Sequence, residues 1–502
     1  MSPRVQVLLL LLAVVAVFAP DPAAQFVWDD VELIGNNAFV TDWANLPTFF
    51  AVDLWHGVPG EHAPTFYRPL MQVELLLDHT LFGLKPAAYQ VHSLLWHLLA
   101  SGLVFEVLRR RFPHGALAGA ALFALHPLQA EVTRFVAARN DTMALAGVLG
   151  AWLLARRPVA SSVLLLLALL SKEIAVLGVV GFILWERAVP DRKLMVGWAA
   201  ALGVYLLLRM GADLTSVSLT LEGVPRAAVY YAGCLVSPLY CNPALSPQAV
   251  HLQTPALLSV TLLSAALARR GAWGLVLAAL ALAPAALAAG MSEGLGHRYL
   301  LFTIFGLAWA LAASLEPMRR GWLAWLLVPV LAFGSRQMLP RWATTSGLWS
   351  EANGLHSSLR SRCGVYKAME AEDGDADTMG FYLLLALPEP HCCYNASRFW
   401  LDRGDPVKAV SLGREALVRG CAPEPNLLAP LAVAEAMQGD WEAAVEHAGD
   451  GRDPYGYGPV VLSAAALREG DRSVLEAWQG QGEGDLEAQV RFLLEQAGEP
   501  SP

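Results

Sequence analysis

The sequence predicts an all-α protein: a polytopic membrane helical bundle of about eleven spans, residues 1–338, followed by a soluble helical domain, residues 339–502. Of the 502 residues, 55% are hydrophobic and only 16% are charged, whereas soluble proteins average about 25% charged residues. The mean hydropathy is +0.44. The apolar residues occur in long runs separated by short basic clusters, which is typical of a chain that crosses a membrane several times.

The net charge of −9 argues against a nucleic-acid partner, because such partners bind basic surfaces.

The first run, Val5–Ala19, resembles a signal peptide with small residues at Ala23 and Ala24. We favour an uncleaved first helix, because the chain after it continues as a membrane protein. The eleven apolar runs are Val5–Ala19, Ala88–Leu108, Gly115–Leu128, Asp141–Ala155, Val159–Leu170, Ile174–Ala188, Leu194–Leu208, Leu252–Ala268, Gly271–Ala289, Tyr299–Leu315 and Gly321–Phe333.

Five basic clusters predict the topology, because Lys and Arg are retained on the cytoplasmic side. The clusters are Arg109–Arg111, Arg156–Arg157, Arg192–Lys193, Arg269–Arg270 and Arg319–Arg320, and each follows an even-numbered run. The first loop, 25–85, and the C-terminal domain are then both expected on the non-cytoplasmic side. This assumes that Ser171–Glu173 forms an outer turn between two short helices and does not lie within one span. It also assumes that Ala227–Tyr240 is interfacial or re-entrant.

Ionisable residues gather in four segments that this topology assigns to the outer face. Such residues at membrane depth are costly and usually functional, although any single one can be a helix cap or a snorkelling side chain. The loop 25–85 has Asp29, Asp30 and Arg68; "HPLQAEVTRFVAARND" has His126, Glu131, Arg139 and Asp141; "SKE" has Lys172 and Glu173; and "GLGHRYL" has His297, Arg298 and Tyr299.

The stretches "VWDDVELIGNN", "DLWHGVPGEHAPTFYRPL", "HPLQAEVTRFVAARNDTMA" and "SKE" resemble the transmembrane and TPR-repeat-containing O-mannosyltransferases, a family of the GT-C glycosyltransferases. The resemblance covers roughly Phe26 to Glu173. It implies that Asp29 and Asp30 match the acidic, catalytic positions of the family's first luminal loop. The family's HP…E…R.D motif matches His126, Pro127, Glu131, Arg139 and Asp141. The family also has a His and an Asn in its second membrane helix, where "VHSLLWH" offers His92 and His97 but no Asn.

The resemblance implies a membrane enzyme that moves a sugar, mannose or another hexose, from a polyprenyl-phosphate donor to a protein or glycan hydroxyl. The transfer would occur on the non-cytoplasmic face, with a bacterial inner membrane as the expected location. A carboxylate at the membrane mouth suits a general base, and direct attack predicts inversion at the anomeric carbon. The leaving phosphate needs cations, for which the candidates are Arg298, Lys172, Arg139 and Arg68, with His126, Glu131, Asp141, Glu173 and His92 as supporting residues. The sugar, the acceptor, the choice between Asp29 and Asp30 and any divalent-metal requirement stay open.

Two other classes of protein compete with this interpretation. A transporter or flippase of lipid-linked sugars would need polar residues through the middle of the membrane, whereas most of them fall at one face. A non-catalytic membrane scaffold would need only the C-terminal domain as a docking module. An assay of sugar transfer discriminates all three.

The C-terminal domain has a weak repeat. Gly-Asp pairs at Gly404, Gly439 and Gly470 recur at roughly the ~34-residue period of tetratricopeptide repeats, and Gly374 is a candidate earlier copy. We therefore predict a TPR-like unit that binds a protein partner, with a plain helical cap as the alternative. Its cysteines, Cys363, Cys392, Cys393 and Cys421, are expected in an oxidising space and allow three full pairings, among which the sequence does not choose.

Overall fold

The computed structural model describes residues 2–58, 66–212, 214, 223–242, 254–292, 295–319, 321–355, 359–371, 375–449, 457–469, 471 and 484–497. The chain divides into two compact units, Met1–Leu355 and His356–Pro502. Within the described ranges the regular secondary structure is helical and contains no strand, so the predicted all-α class is confirmed. The first unit extends past the expected boundary at residue 338, because the helix Thr345–Leu355 belongs to it.

The helices of the first unit differ widely in length. They are α1 (Pro3–Phe18), α2 (Pro69–Phe82), α3 (Pro86–Arg111), α4 (Ala116–Ala124), α5 (Gln129–Arg134), α6 (Arg139–Leu153), α7 (Pro158–Ser171), α8 (Leu177–Glu186), α9 (Arg192–Gly211), α10 (Val224–Cys234), α11 (Thr254–Ser292), α12 (Leu301–Leu315), α13 (Ala324–Met338) and α14 (Thr345–Leu355). Proline stands at the first position of α2, α3 and α7, where its fixed φ favours helix initiation and its missing N–H costs nothing.

Four helical segments among the described residues are long and apolar enough to cross a membrane: Pro86–Arg111, Arg192–Gly211, Ser264–Ala288 and His297–Met318. Helices α1 and α7 are apolar but shorter. The chain is thus an integral membrane protein. The predicted number of about eleven spans is not confirmed, since α4 has 9 residues and α8 has 10, against the ~20 that a bilayer requires.

One pair of predicted spans requires correction. The runs Leu252–Ala268 and Gly271–Ala289, which we expected to be separated by a loop at Arg269–Arg270, belong to the single 39-residue helix α11. The sequence between the runs has no proline, and the residues that follow pack tightly against α12. Tertiary packing therefore keeps the arginine pair in a helix.

The contact between α11 and α12 depends on residues without side chains. A Cβ added at Gly274 would lie 2.5 Å from the backbone nitrogen of Ala310, and one added at Gly306 would lie 2.6 Å from that of Ala278. Small residues of this kind allow the backbones of membrane helices to approach closely. The two glycines fix how far α12 can shift along α11.

The helices of the first unit run between two faces. We call the face with the end of α3 the basic face: there Arg110 donates to the carbonyl of Leu153, and Glu316, near Arg319, accepts from the backbone N–H of His114 at 2.8 Å. Arg156 and the start of α9 lie beside Arg110. Ser314, at the same end of α12, donates to Leu267 of α11, which brings Arg269–Arg270 to this face. Arg320 lies outside the described residues.

The opposite end of the bundle, which we call the site face, has the start of α6, the end of α7 and the start of α12. The chain turns at Lys172 in an extended conformation between α7 and a 3-10 turn, Glu173–Val176, as the two-helix interpretation predicts. Helix α10 is an 11-residue segment on this face, where the Tyr231 hydroxyl donates to the Gly296 carbonyl at 3.1 Å. It is too short to span a bilayer.

The second unit consists of short helices. They are α15 (Leu359–Ala371), α16 (Ala376–Ala386), α17 (Pro390–Cys393), α18 (Arg398–Leu401), α19 (Pro406–Val418), α20 (Pro425–Met437), α21 (Trp441–Ala448), α22 (Tyr457–Arg468) and α23 (Gly484–Gln496). Gly404 and Gly439 have φ of +73° and +78°, and each is followed by an aspartate that caps the next helix. The Gly-Asp pairs thus mark helix–helix joints. Gly374 and Gly470 lie outside the described residues, and the TPR-like arrangement is not confirmed.

All six cysteines are paired in disulfides. In the second unit Cys363 pairs with Cys392, and Cys393 pairs with Cys421, so the two adjacent cysteines bind different partners. Both bridges lie in the buried core of that unit. A third bridge, Cys234–Cys241, connects α10 to the segment that follows it.

Candidate active site

The site face brings together residues that are far apart in the sequence. Asp29 and Asp30 follow α1, Glu131 lies in α5, Lys172 follows α7, and Arg298 precedes α12. Ion pairs, hydrogen bonds and ring contacts connect the four segments. All four predicted clusters therefore contribute to one site.

Asp30 is fully buried, and protein donors occupy both of its carboxylate oxygens. The backbone N–H groups of Val136 and Ala137 each donate to it at 2.8 Å. Burial raises the pKa of the Asp30 carboxyl to about 8, and the two N–H donors oppose this rise because they bind the charged form. These hydrogen bonds attach the first loop to the turn before α6. The Asp30 side chain has no exposed surface that a substrate could contact.

Asp29 has a different environment although it is the next residue. It is only partly buried, and it interacts electrostatically with Arg298 and with Asp30. A carboxylate that is accessible and close to a fixed cation can approach an anionic substrate and accept a proton there.

Arg298 is held by polar and aromatic groups together. One guanidinium nitrogen lies 3.0 Å from Glu131, and the other donates to the Tyr299 hydroxyl at 3.3 Å. The guanidinium also lies 5.0 Å from the ring centroid of Phe135 and 5.7 Å from that of Trp28. These contacts fix the plane of the guanidinium while its side chain stays 12% exposed.

Lys172 also contacts Tyr299. Its ammonium is 4.8 Å from the Tyr299 ring centroid and binds both oxygens of Asp141, at 2.7 and 2.6 Å. Arg68 is paired with Glu173 at 3.1 Å and interacts electrostatically with Lys172. Lys172 and Arg298 therefore both contact the Tyr299 ring, and each of the three cations has its own carboxylate.

A second polar cluster lies between α2, α3 and α6, and sequence reasoning missed part of it. Arg139 is completely buried and lies 2.6 Å from Asp78, and it also donates to Ser93 and to the Tyr89 carbonyl. His92 contacts Asp78 at 2.5 Å and Glu74 at 3.1 Å. Glu74 and Asp78 are four residues apart on an apolar helix, a spacing that puts both carboxylates on one helix face. That signal was available in the sequence.

Two of the histidines make backbone contacts. His126 contacts the Leu235 carbonyl through Nε2 at 3.2 Å and accepts from the backbone N–H of Leu128 through Nδ1. His97 contacts the Ala124 carbonyl at 2.9 Å. Both are buried, and their contacts connect chain segments to one another.

Trp28 precedes the two aspartates with a φ of +58°, a conformation that a bulky residue rarely adopts. Its ring stacks on Phe135 and Trp342, with centroids 5.7 and 6.4 Å apart, and its backbone N–H donates to Thr345 at 3.1 Å. The packing compensates the backbone strain. It also shows that α14, the last helix of the first unit, lies on the site face.

The residues that the structure describes contain no group of three or more His, Cys, Asp or Glu side chains arranged to hold a metal ion. The carboxylates around Tyr299 are engaged by Arg68, Lys172 and Arg298. The site in its described form is thus a network of ion pairs.

Comparison with known proteins confirms the resemblance that the motifs predicted. The chain is 35% identical over 124 residues to protein O-mannosyl-transferase Tmtc1 of Drosophila melanogaster, and 31% identical over 130 residues to protein O-mannosyl-transferase TMTC3 of Mus musculus. These segments are 24% and 25% of this chain and 14% of each relative. No known protein-family model matches the chain.

Two solved structures match longer parts of the chain at low identity and low TM-score. ArnT from Cupriavidus metallidurans, bound to undecaprenyl phosphate, has 15% identity and a TM-score of 0.36, and the match covers 89% of this chain and 79% of that one. Arabinofuranosyltransferase AftD from Mycobacteria has 16% identity and a TM-score of 0.36, with 68% and 27% of the two chains covered.

Proposed function

We propose that this protein is a membrane glycosyltransferase of the GT-C type. It transfers a hexose from a polyprenyl-phosphate donor to a hydroxyl of a protein or glycan on the non-cytoplasmic side of the membrane. The observation that carries the proposal is the electrostatic interaction of a partly exposed carboxylate, Asp29, with a fixed guanidinium, Arg298, at the end of a candidate membrane helix. Mannose is the first sugar to test, because the relatives are named as O-mannosyl-transferases.

In this proposal Asp29 is the general base and Asp30 is its structural neighbour. Asp30 cannot take a proton from an acceptor, because both of its oxygens accept backbone N–H groups and its side chain is buried. Asp29 removes the proton from the acceptor hydroxyl, whose oxygen then forms the new bond to the anomeric carbon. The bond between that carbon and the phosphate oxygen breaks, and its electron pair leaves with the polyprenyl phosphate. Direct displacement inverts the anomeric centre.

Arg298 and Lys172 are the groups that stabilise the leaving phosphate. A guanidinium can bind two phosphate oxygens at once, and the contacts of Arg298 with Glu131, Phe135 and Tyr299 hold it in one orientation. Fixed cations of this kind stabilise a developing anion without reorganising during the reaction. Arg68 lies farther out in the same cluster, next to the more exposed Glu173. Arg139 is left out of the phosphate site, because Asp78, Ser93 and the Tyr89 carbonyl enclose its guanidinium.

Two independent features support a non-cytoplasmic site face. The basic clusters gather at the opposite face, as they do on the cytoplasmic side of membrane proteins. The bridge Cys234–Cys241 lies at the site face, where Arg341 donates to the Cys241 carbonyl at 2.6 Å, and disulfides persist in oxidising compartments. The bridges of the second unit support the same side for the C-terminal domain. The periplasmic side of a bacterial inner membrane has this character.

The helix–Gly-Asp–helix joints of the second unit support a TPR-like module that docks a protein partner, for example an acceptor protein. A concave array of helical hairpins is suited to hold an extended chain. This part of the proposal is independent of the chemistry at Asp29.

The test uses the purified full-length chain in lipid nanodiscs with radiolabelled polyprenyl-phosphate mannose and, in parallel, polyprenyl-phosphate glucose. Labelled product together with released polyprenyl phosphate is expected from wild type and not from Asp29→Asn. Movement of intact donor between leaflets without bond cleavage would instead identify a flippase. Both donors are also tested with a host membrane extract as acceptor. If neither transfer nor movement between leaflets is detected, the transferase proposal is contradicted and the non-catalytic scaffold is the remaining interpretation.

A further inference from the structure

A large cavity lies at the basic face, at the opposite end of the first unit from Asp29. Its volume is about 1080 Å³, and it is an open pocket lined by the end of α3, the α6–α7 turn, the end of α8 and the start of α9. Ligand pockets in proteins commonly measure about 300–1,000 Å³. The proposed sugar transfer gives this cavity no role.

The cavity has a cationic rim. Arg110, Arg111 and Arg156 line it together with two acids, Glu186 and Asp191, so the lining has one more positive than negative charge. Helices α7 and α9 begin at the rim with Pro158 and Arg192, and the positive ends of their dipoles add to the field. Lys193 adjoins the lining in sequence and increases the positive potential around the opening.

The inner wall of the cavity is aromatic and rigid. Trp152, Phe182 and Trp185 line it, and the ring centroids of Trp152 and Trp185 are 6.3 Å apart. The Trp152 indole donates to the Gly178 carbonyl at 2.9 Å. Arg111 lies 5.5 Å above the Trp185 ring and donates to the Trp185 carbonyl, which holds one cation between the rim and the apolar wall.

We propose that this cavity binds the phosphate headgroup of an anionic phospholipid, with the glycerol and first acyl carbons against Trp152 and Trp185. Basic pockets between membrane helices bind such headgroups, because the anionic lipids of the leaflet are attracted to the basic residues and arginine pairs with phosphate. Inorganic phosphate shares the anionic chemistry. The aromatic wall favours the lipid, because inorganic phosphate has no apolar part to bury.

The test is native mass spectrometry of the full-length chain, released from detergent after incubation with phosphatidylglycerol or with phosphatidylcholine of the same acyl chains. Arg156→Gln removes a rim charge from the cavity. Arg157→Gln is its matched control, because both arginines are exposed but Arg157 does not line the cavity. Ala188→Trp keeps every charge but fills part of the cavity, since Ala188 lines it. A competition series adds millimolar inorganic phosphate.

Wild type and Arg157→Gln should retain one phosphatidylglycerol at least about tenfold more than phosphatidylcholine. Arg156→Gln and Ala188→Trp should each lower that retention by about fivefold or more, and inorganic phosphate should not displace the lipid. Equal losses in Arg156→Gln and Arg157→Gln, or full retention in Ala188→Trp, would mean that the lipid binds the charged surface. Either result would overturn the proposal that the lipid binds in the cavity. Displacement by inorganic phosphate would overturn the lipid as the occupant. The readout is binding, so it is independent of sugar transfer.

Discussion

The Asp30 carboxylate accepts a hydrogen bond from the backbone N–H of Ala137 at 2.8 Å, although 107 residues separate the two in the chain. The adjacent N–H of Val136 binds the second carboxylate oxygen at the same distance. Asp30 therefore holds the loop after α1 against the start of α6. Its neighbour Asp29 stays partly exposed beside Arg298. Asp29 and Asp30 are adjacent and chemically identical, but their environments differ. We therefore expect their substitutions to have different effects.

Asp29→Asn should lower sugar transfer by about 10²–10⁴, the usual loss on removing a general base, and leave the melting temperature unchanged. Asp30→Asn should instead lower the free energy of unfolding by about 1–3 kcal/mol, because an amide offers one acceptor where two N–H donors need partners. Transfer kinetics and thermal melts of both variants in the same detergent measure the difference. Full activity in Asp29→Asn would remove it from the base role.

Arg298→Lys should lower donor turnover by at least about tenfold, because lysine cannot bind Glu131 and two phosphate oxygens in one plane. Arg341→Lys is the matched control: Arg341 lies on the site face and pairs with Glu351 at 2.8 Å, outside the proposed phosphate site. Donor titrations of both variants separate KM from kcat. Equal effects in the two variants would assign Arg298 to general support of the fold.

The pair of Lys172 and Asp141 allows stability and activity to be separated. The single substitution Asp141→Asn leaves a buried ammonium without its counter-ion and should cost about 3–5 kcal/mol of folding free energy. The double substitution Lys172→Met with Asp141→Leu should regain most of that stability, since apolar pairs often replace buried ion pairs. Transfer should stay low in the double variant. Recovered transfer would show that Lys172 acts only in folding.

Reporter fusions test the membrane sidedness. Fusions at Pro64, which lies outside the described residues, and at Pro423 should both report export, whereas a fusion at Pro190 on the basic face should report the cytoplasm. The expectation follows from the bridges Cys234–Cys241 and Cys393–Cys421 and from the basic clusters. A cytoplasmic signal at Pro423 would contradict the proposed side of the C-terminal unit.

The second unit should lose local stability as the pH rises. The hydrogen bond from His447 to Glu435, at 2.7 Å, raises the pKa of His447 above its usual 6.5. A raised folded-state pKa stabilises the fold fully below 6.5, and this contribution is lost as pH rises through the folded value. Hydrogen exchange of α20 and α21, corrected for intrinsic rates, should show weaker protection at pH 8.5 than at pH 6. His447→Gln should show no such difference, and an equal pH effect in that variant would contradict the assignment.

The residues of the site face were predictable because ionisable groups are rare in an apolar chain. Lys172, Glu131 and Arg298 stand out in sequence against their apolar surroundings, and the fold brings them together. Their individual partners were not predictable, since each pair joins segments far apart in the chain. Asp29 and Asp30 could not be told apart, because the donors that occupy Asp30 belong to residues 136 and 137.

Helix boundaries were less predictable than helix existence. Arg269–Arg270 resembles a loop in sequence, yet the tight packing of the following glycines on α12 keeps the chain helical. Glu74 and Asp78 are not among the ionisable residues predicted for the loop 25–85. In the structure Asp78 is fully buried against Arg139. The four-residue spacing of the two acids predicts a shared helix face, but it does not identify Arg139 as the counter-ion.

The glycine contact between α11 and α12 has a consequence for how the site face is held. Arg298 belongs to the turn that leads into α12, and α12 cannot slide along α11 while the backbones touch at Gly274 and Gly306. The position of the guanidinium along the bundle is therefore set by two residues that have no side chain and lie within candidate membrane spans. A single added methyl group there would change the position of the cation without altering any residue that a substrate touches.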